Sequence, residues 1–235
     1  MVQLNIDFRL FDVSLELHAL QDYLETMEKQ IVHIQESERI ILDETIMGQN
    51  ISPDNPEWLF EHQAYDHRIN FLLPRFFRGP FLVSLYAVYE SAVTEISRHI
   101  QNSLCLSVSI NDIRGDNFLS CANKYYKHIL DFDLFCDNSA WHQIIMLSEI
   151  RNAIAHTNGR VEMLREKARK QILEWEKNKI GIELQWGFII VNAKFAQRTF
   201  SAVQLSLEDL VERYKQWDSS VNKPERKQPG RAHEN

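Results

Sequence analysis

The chain has 235 residues, of which 44% are hydrophobic and 25% charged, with only 7 Gly and 6 Pro. That length holds one large domain or two small ones, and the low Gly and Pro count favours long helices over a many-turned β fold. The net charge is −7, and it is uneven: residues 1–61 carry 3 Lys and Arg against 13 Asp and Glu, whereas residues 62–235 carry 23 against 20. Taken whole, the chain does not look like a nucleic-acid binder. Taken by region, the later part can face phosphate while the acidic first part faces water or a basic partner.

Cys105, Cys121 and Cys136 are odd in number and none has CxxC spacing. A disulfide framework and a thiolate metal site are therefore not expected, and free thiols suit a reducing cytoplasm. No run approaches the roughly 20 apolar residues that span a bilayer, and Phe81 to Tyr89 is the nearest approach. No secretory signal is expected either.

Val2, Leu4, Ile6, Phe8 and Leu10 alternate with polar residues, which predicts a short extended strand at the N-terminus. From Asp12 to Met47, Leu17, Leu20, Leu24, Met27, Ile31, Ile34 and Ile41 keep helical spacing. Gly48 to Pro56 is expected to be a loop and Glu57 to Leu72 a helix. Pro74 and Gly79-Pro80 are expected to interrupt the chain, with Pro80 opening a helix to about Ser103. A turn at Asn111 to Asn117 precedes a short amphipathic helix to Leu130. Ser139 is placed to cap a helix from Ala140 to His156, which Asn158-Gly159 terminates. Arg160 to Asn178 has the pattern of a charged helix, Ile180 to Val191 that of a β-hairpin, and Phe195 to Trp217 that of a last helix. Asp218 to Asn235 is polar with two prolines and is expected to be a disordered tail. The sum is one all-α helical bundle over residues 1–217 with a small β-hairpin.

The helix from Ala140 to His156 carries the functional argument. On a wheel of about 100° per residue, Met146, Leu147, Ile150, Ala153 and Ile154 form one core-facing side. The other side is also largely apolar: Trp141, Ile144, Ile145, Ser148, Asn152 and Ala155. Two apolar sides predict burial on both, and a second subunit across a two-fold axis would supply the second. Arg151 and His156 stand about 140° apart, on the margins of that second side. Asn152 lies four residues before His156 and is placed to orient its imidazole.

Arg suits a phosphate because its planar fork is permanently charged and donates two bonds at once. His suits proton transfer near neutrality. Together they form a minimal kit for cutting RNA without metal, with the ribose 2′-OH as nucleophile. No metal or cofactor is expected. His62, Asp66 and His67 form the nearest approach to a metal cluster, and surface placement accounts for them better. His142, Glu149 and His156 share one helix edge, but each step of about 10.5 Å is too long for joint coordination.

The run Arg151-Asn152-Ala153-Ile154-Ala155-His156 resembles the R-x(4–6)-H motif of the HEPN superfamily, in which a polar residue often follows the Arg. The upstream helix FLVSLYAVYESAVTEI and the segment WHQIIMLSEIRNAIAHTNGR are similar to the paired central helices of HEPN domains, so the resemblance covers roughly residues 57–178. It implies a helical bundle that dimerises with the two motifs facing one cleft. It further implies either a metal-independent endoribonuclease of toxin or phage-defence type, or a non-catalytic module binding a nucleotide, RNA or protein. Arg151 and His156 carry over as catalytic candidates with Asn152 as support. Glu90, a lone acid in the apolar upstream helix, is added on its position alone. The implied partners are a second copy of the chain, RNA as substrate and a neutralising protein or antitoxin. HEPN toxins paired with a small nucleotidyltransferase have a Tyr two residues after the His; here Asn158 stands there.

Overall fold

A computed structural model describes residues 11–221. The expected strand of Val2 to Leu10 and residues 222–235 lie outside them. Among the described residues the chain is mostly helical, with one antiparallel two-stranded sheet. The helices are α1 (Phe11–Gly48), α2 (Pro56–Tyr65), α3 (Leu73–Ser103), α4 (Phe118–Tyr125), α5 (Asn138–Thr157), α6 (Glu166–Lys177) and α7 (Ala193–Val221). The strands are β1 (Ile182–Gln185) and β2 (Phe188–Val191).

The prolines do not break the chain where the sequence suggests. One helix runs from Pro56 to Ser103, through Pro74 and Pro80. Between α2 and α3 a wide π-helical stretch, Asp66–Leu72, absorbs the first of them. Proline lacks the N–H that would bond the carbonyl four residues back, and its ring crowds that carbonyl. A wider turn just upstream relieves the crowding, and there Leu73 N–H bonds Arg68 O, five residues back. This helix is long and apolar enough to cross a bilayer, but here it is the centre of the bundle. Phe81, Leu82, Leu85, Tyr89, Val93, Ile96 and Ile100 are all fully buried.

Three helices cover α3: α1, α5 and α7. α1 runs antiparallel to it, since Glu28, Gln35 and Glu38 meet Arg78, Asn70 and Arg68 in reverse order. The apolar stripe of α1 continues through Leu24, Met27 and Ile31, but at its C-terminal end Leu42 is buried and Ile41 exposed. A straight helix drifts against a fixed repeat, so the inward position shifts by one residue.

The C-terminal half departs from expectation in three places. Asp137, not Ser139, caps α5: its side chain accepts from Ser139 N–H at 2.7 Å. The charged helix begins at Glu166 rather than Arg160, because Arg160 bridges to Phe188 and Val161 N–H bonds Gly187 O. Residues 218–221 belong to α7, so the expected tail starts later than Asp218. The hairpin itself is as read. Ile182 pairs with Val191 and Gln185 with Phe188, and both turn residues, Trp186 and Gly187, have positive φ, as the tightest hairpin turns require.

Arg78 joins three elements at one point. Its guanidinium bonds both carboxylate oxygens of Glu28 at 2.7 Å and the Val191 carbonyl at 3.2 Å. Both side chains are mostly buried, 12% and 23% exposed. Removing one partner of a buried pair typically costs about 3–5 kcal/mol, and the residual exposure here lowers that to about 2–3. Arg78→Ala is expected to lose that much in urea unfolding, and a loss below about 0.5 kcal/mol would show that α1 does not depend on this joint.

Candidate functional site

The site is built on the C-terminal half of α5 and the facing turn of α3. α5 ends where the sequence indicates. Asn158 adopts the left-handed conformation at φ 52°, and both Asn158 N–H and Gly159 N–H bond Ala153 O. Left-handed backbone is open to Asn and Gly at low cost, so this pair closes the helix one residue after Thr157.

Arg151 leaves α5 toward α3. Its guanidinium lies over the Tyr86 ring, 5.1 Å from the centroid, and Nη1 donates to Asn152 Oδ1 at 3.0 Å. Its Nε is buried and has no hydrogen-bond partner. Among the described residues no carboxylate lies within ion-pair distance of Arg151. A buried donor without an acceptor costs roughly 1–3 kcal/mol and more on a charged group, so Arg151 is held here at a cost and without a neutralising carboxylate.

Tyr86 is the residue that sequence reasoning missed. It sits one turn before Glu90 in an apolar run and has the appearance of a core aromatic. Ser148 Oγ donates to its hydroxyl at 3.3 Å. Burial raises the Tyr86 phenol above its ordinary range; the Ser148 bond and Arg151 pull it down, while Glu90 and Glu149 push it up. Tyr86 thus gathers Glu90, Ser148, Glu149 and Arg151 into one electrostatic neighbourhood. Its spacing of four from Glu90 was the available signal.

The rest of the expected constellation is distributed differently. His156 is exposed, and its offset of about 140° from Arg151 around α5 sets the two side chains on different sides of the helix within one chain. The carboxamide oxygen of Asn152 serves Arg151, not the imidazole. The second apolar side of α5 is narrower than the wheel implies. Ile144 is fully buried and Ser148 is 2% exposed, both within the same chain. Trp141 stacks on Phe135 at 4.3 Å and 6°. What stays at the surface is Ala155, with Ile145 and Asn152 half-buried beside it.

A cleft of about 480 Å³, open solvent included, adjoins the end of α5 and is lined by Phe76, Pro80, Ile154, Asn158 and Ile189. Arg75 also lines it and donates from Nη2 to Asn158 O at 2.5 Å. The two histidines of α2 and the π-helical stretch point to different neighbours. His62 stacks on Trp58 at 3.7 Å, and His67 leans on Trp186 at 4.8 Å. Among the described residues no His, Cys, Asp and Glu gather into a group that could hold a metal ion.

No protein-family model matches the chain, and neither the curated proteins nor the solved structures contain a significant match.

The burial of Ser148 has a direct consequence. Ser148→Arg would force a cation against the Tyr86 hydroxyl inside the chain, where an unpaired buried charge is among the most destabilising changes known. The expected result is loss of the folded protein in thermal melting. A variant that melts like the parent would place Ser148 at an accessible surface instead.

Proposed function

We propose that the chain is a metal-independent endoribonuclease of HEPN type, acting in toxin or defence biology as a homodimer built through α5. The observation that carries this reading is the state of Arg151: half-buried, with one donor unsatisfied and no carboxylate neutralising it, on the same helix end as His156. A fold that spends stability to hold such a group gains from an anion that arrives later.

In this reading the scissile phosphate lies across the α5 ends of two chains. Arg151 donates to the non-bridging oxygens as charge develops. A His156 imidazole takes the proton from the 2′-OH, whose oxygen attacks phosphorus. The P–O5′ bond breaks, and the 5′ oxygen takes a proton from imidazolium. The products are a 2′,3′-cyclic phosphate and a free 5′-hydroxyl. One chain alone presents Arg151 and His156 in different directions, so the constellation requires the second copy. Asn152 acts by fixing the Arg151 fork, and Glu90 by its field on Tyr86.

The second reading is a non-catalytic HEPN-fold module that binds a nucleotide, RNA or protein. The outward, unpartnered placement of His156 favours it over the nuclease. The acidic stretch of residues 1–61 suits a basic protein partner or antitoxin in either case.

Two experiments divide these readings. With purified protein and mixed cellular RNA, His156→Ala and Arg151→Ala are each expected to lower cleavage by about a hundred- to ten-thousand-fold, with activity retained in EDTA and products ending in cyclic phosphate. Cleavage unchanged in His156→Ala, or lost on chelation, refutes the mechanism. Ala155→Arg, at the surface left open on α5, is expected to yield folded monomers that no longer cleave. A parent protein that sediments as a monomer at micromolar concentration removes the shared-cleft arrangement.

A further inference from the structure

The tip of the hairpin presents chemistry that the fold does not need. Trp186 occupies a turn position with φ 48°, where Asn or Gly would be the ordinary choice, and it is 61% exposed. A large aromatic held in left-handed backbone at the surface carries a conformational cost that its contacts with Phe71 and His67 offset only in part. The ring packs against Phe71 at 4.6 Å and 86° and against His67 at 4.8 Å. Even so, more than half of the residue's surface stays open to solvent.

Beside it two arginines share one ring. Arg75 and Arg160 lie over Phe188 with guanidinium carbons 4.2 and 4.9 Å from the centroid. Burial and the nearby Arg160 charge together lower the Arg75 guanidinium below its ordinary value. The opposing acids are weakly placed. Glu162 meets Arg160 at 3.6 Å in a pair exposed on both sides, and Asp66 is engaged with Asn70. An exposed pair of that length contributes little and yields readily to a phosphate. Phe76, 55% exposed, continues the aromatic surface.

The patch is continuous with the end of α5. Arg75 bonds Asn158 O, Ile189 N–H bonds Gly159 O at 2.9 Å, and Val161 N–H bonds Gly187 O at 3.0 Å. Asn158 is two residues from His156, so their Cα atoms are within about 8 Å.

We infer that the hairpin tip and the two arginines form a platform for single-stranded RNA, with a base stacked on Trp186 and a backbone phosphate held by Arg75 and Arg160. A flat open ring beside paired cations is what an unpaired nucleotide recognises, whereas a duplex buries its base faces. This inference rests on the ribonuclease reading for its choice of RNA, and it names the part of the substrate, an unpaired strand, that would be delivered to His156.

The test is fluorescence anisotropy at low salt with a short labelled 2′-O-methyl oligoribonucleotide, which has no free 2′-OH and so cannot be cut. The parent is expected to bind it more tightly than the matching duplex. Trp186→Ala is expected to weaken binding by about five- to 150-fold, the usual range for one stacked base. Trp186→Phe, which keeps a ring, should retain most of the affinity, and circular dichroism checks that both variants are folded. Arg75→Ala and Arg160→Ala should each weaken binding and flatten its log–log salt slope by about one. Equal affinity in folded Trp186→Ala, equal affinity for duplex, or no binding by the parent overturns the inference. Binding through the platform with no RNA ever cleaved would leave the platform standing and defeat the ribonuclease. Cleavage with binding unchanged in Trp186→Ala would do the reverse.

Discussion

Proline removes a backbone donor and crowds the carbonyl four residues earlier, and the helix at the centre of this fold carries two prolines in its first eight residues, Pro74 and Pro80. The fold depends on how that is absorbed. Widening the turns over Asp66–Leu72 lets the helix pass Pro74 without breaking, so α2 and α3 become one rod against which α1, α5 and α7 all pack. A break at Pro74 would separate the segment that holds Gln35 and Glu38 of α1 from the segment that holds Glu28. Arg75 and Phe76 follow Pro74 directly and stay with α3 at the end of α5.

How much of this was legible in the sequence follows from the range of the forces involved. Elements fixed by local chemistry were readable: Asn158-Gly159 closing α5, the turn at Trp186-Gly187, the spacing of Leu24, Met27 and Ile31 in α1. Elements fixed by tertiary contact were not. Pro74 and Pro80 have the local signature of a stop, and the π-helical turns before Pro74 and the burial of α3 outweigh it. Arg160 has helical neighbours on its C-terminal side, but its backbone is taken by the hairpin. The wheel indicates burial on the second apolar side of α5. A wheel cannot say by what, and the answer for Ile144 and Ser148 is the chain's own interior.

The candidate site divides along the same line. Arg151 and His156 were found because their residue types and spacing are informative by themselves. Their partners were not, since side-chain hydrogen bonds choose among neighbours at short distance. Asn152 can reach either direction along the helix, and the charged fork of Arg151 is the stronger donor, so its oxygen goes there. Tyr86 was hidden because a tyrosine amid Leu82, Leu85 and Tyr89 has no pattern that separates it from the core. Only the approach of Arg151 and Ser148 from another helix gives it a polar role.

The end of α5 is held more firmly than a surface helix end ordinarily is. Its last carbonyls and the residues after it are bonded by Arg75 from α3, by Ile189 from β2, and by Gly159 to Ala153 within the cap. Frayed termini present side chains over a range of positions; a terminus bonded from two other elements presents them at one. His156 stands in that last turn, exposed but on a fixed backbone. A proton-transfer group benefits from such a base because small misplacement is expensive in rate. The hairpin therefore does two things with one set of backbone bonds. It fixes the helix end that carries His156, and it raises Trp186 and Phe188 on the same side of the molecule.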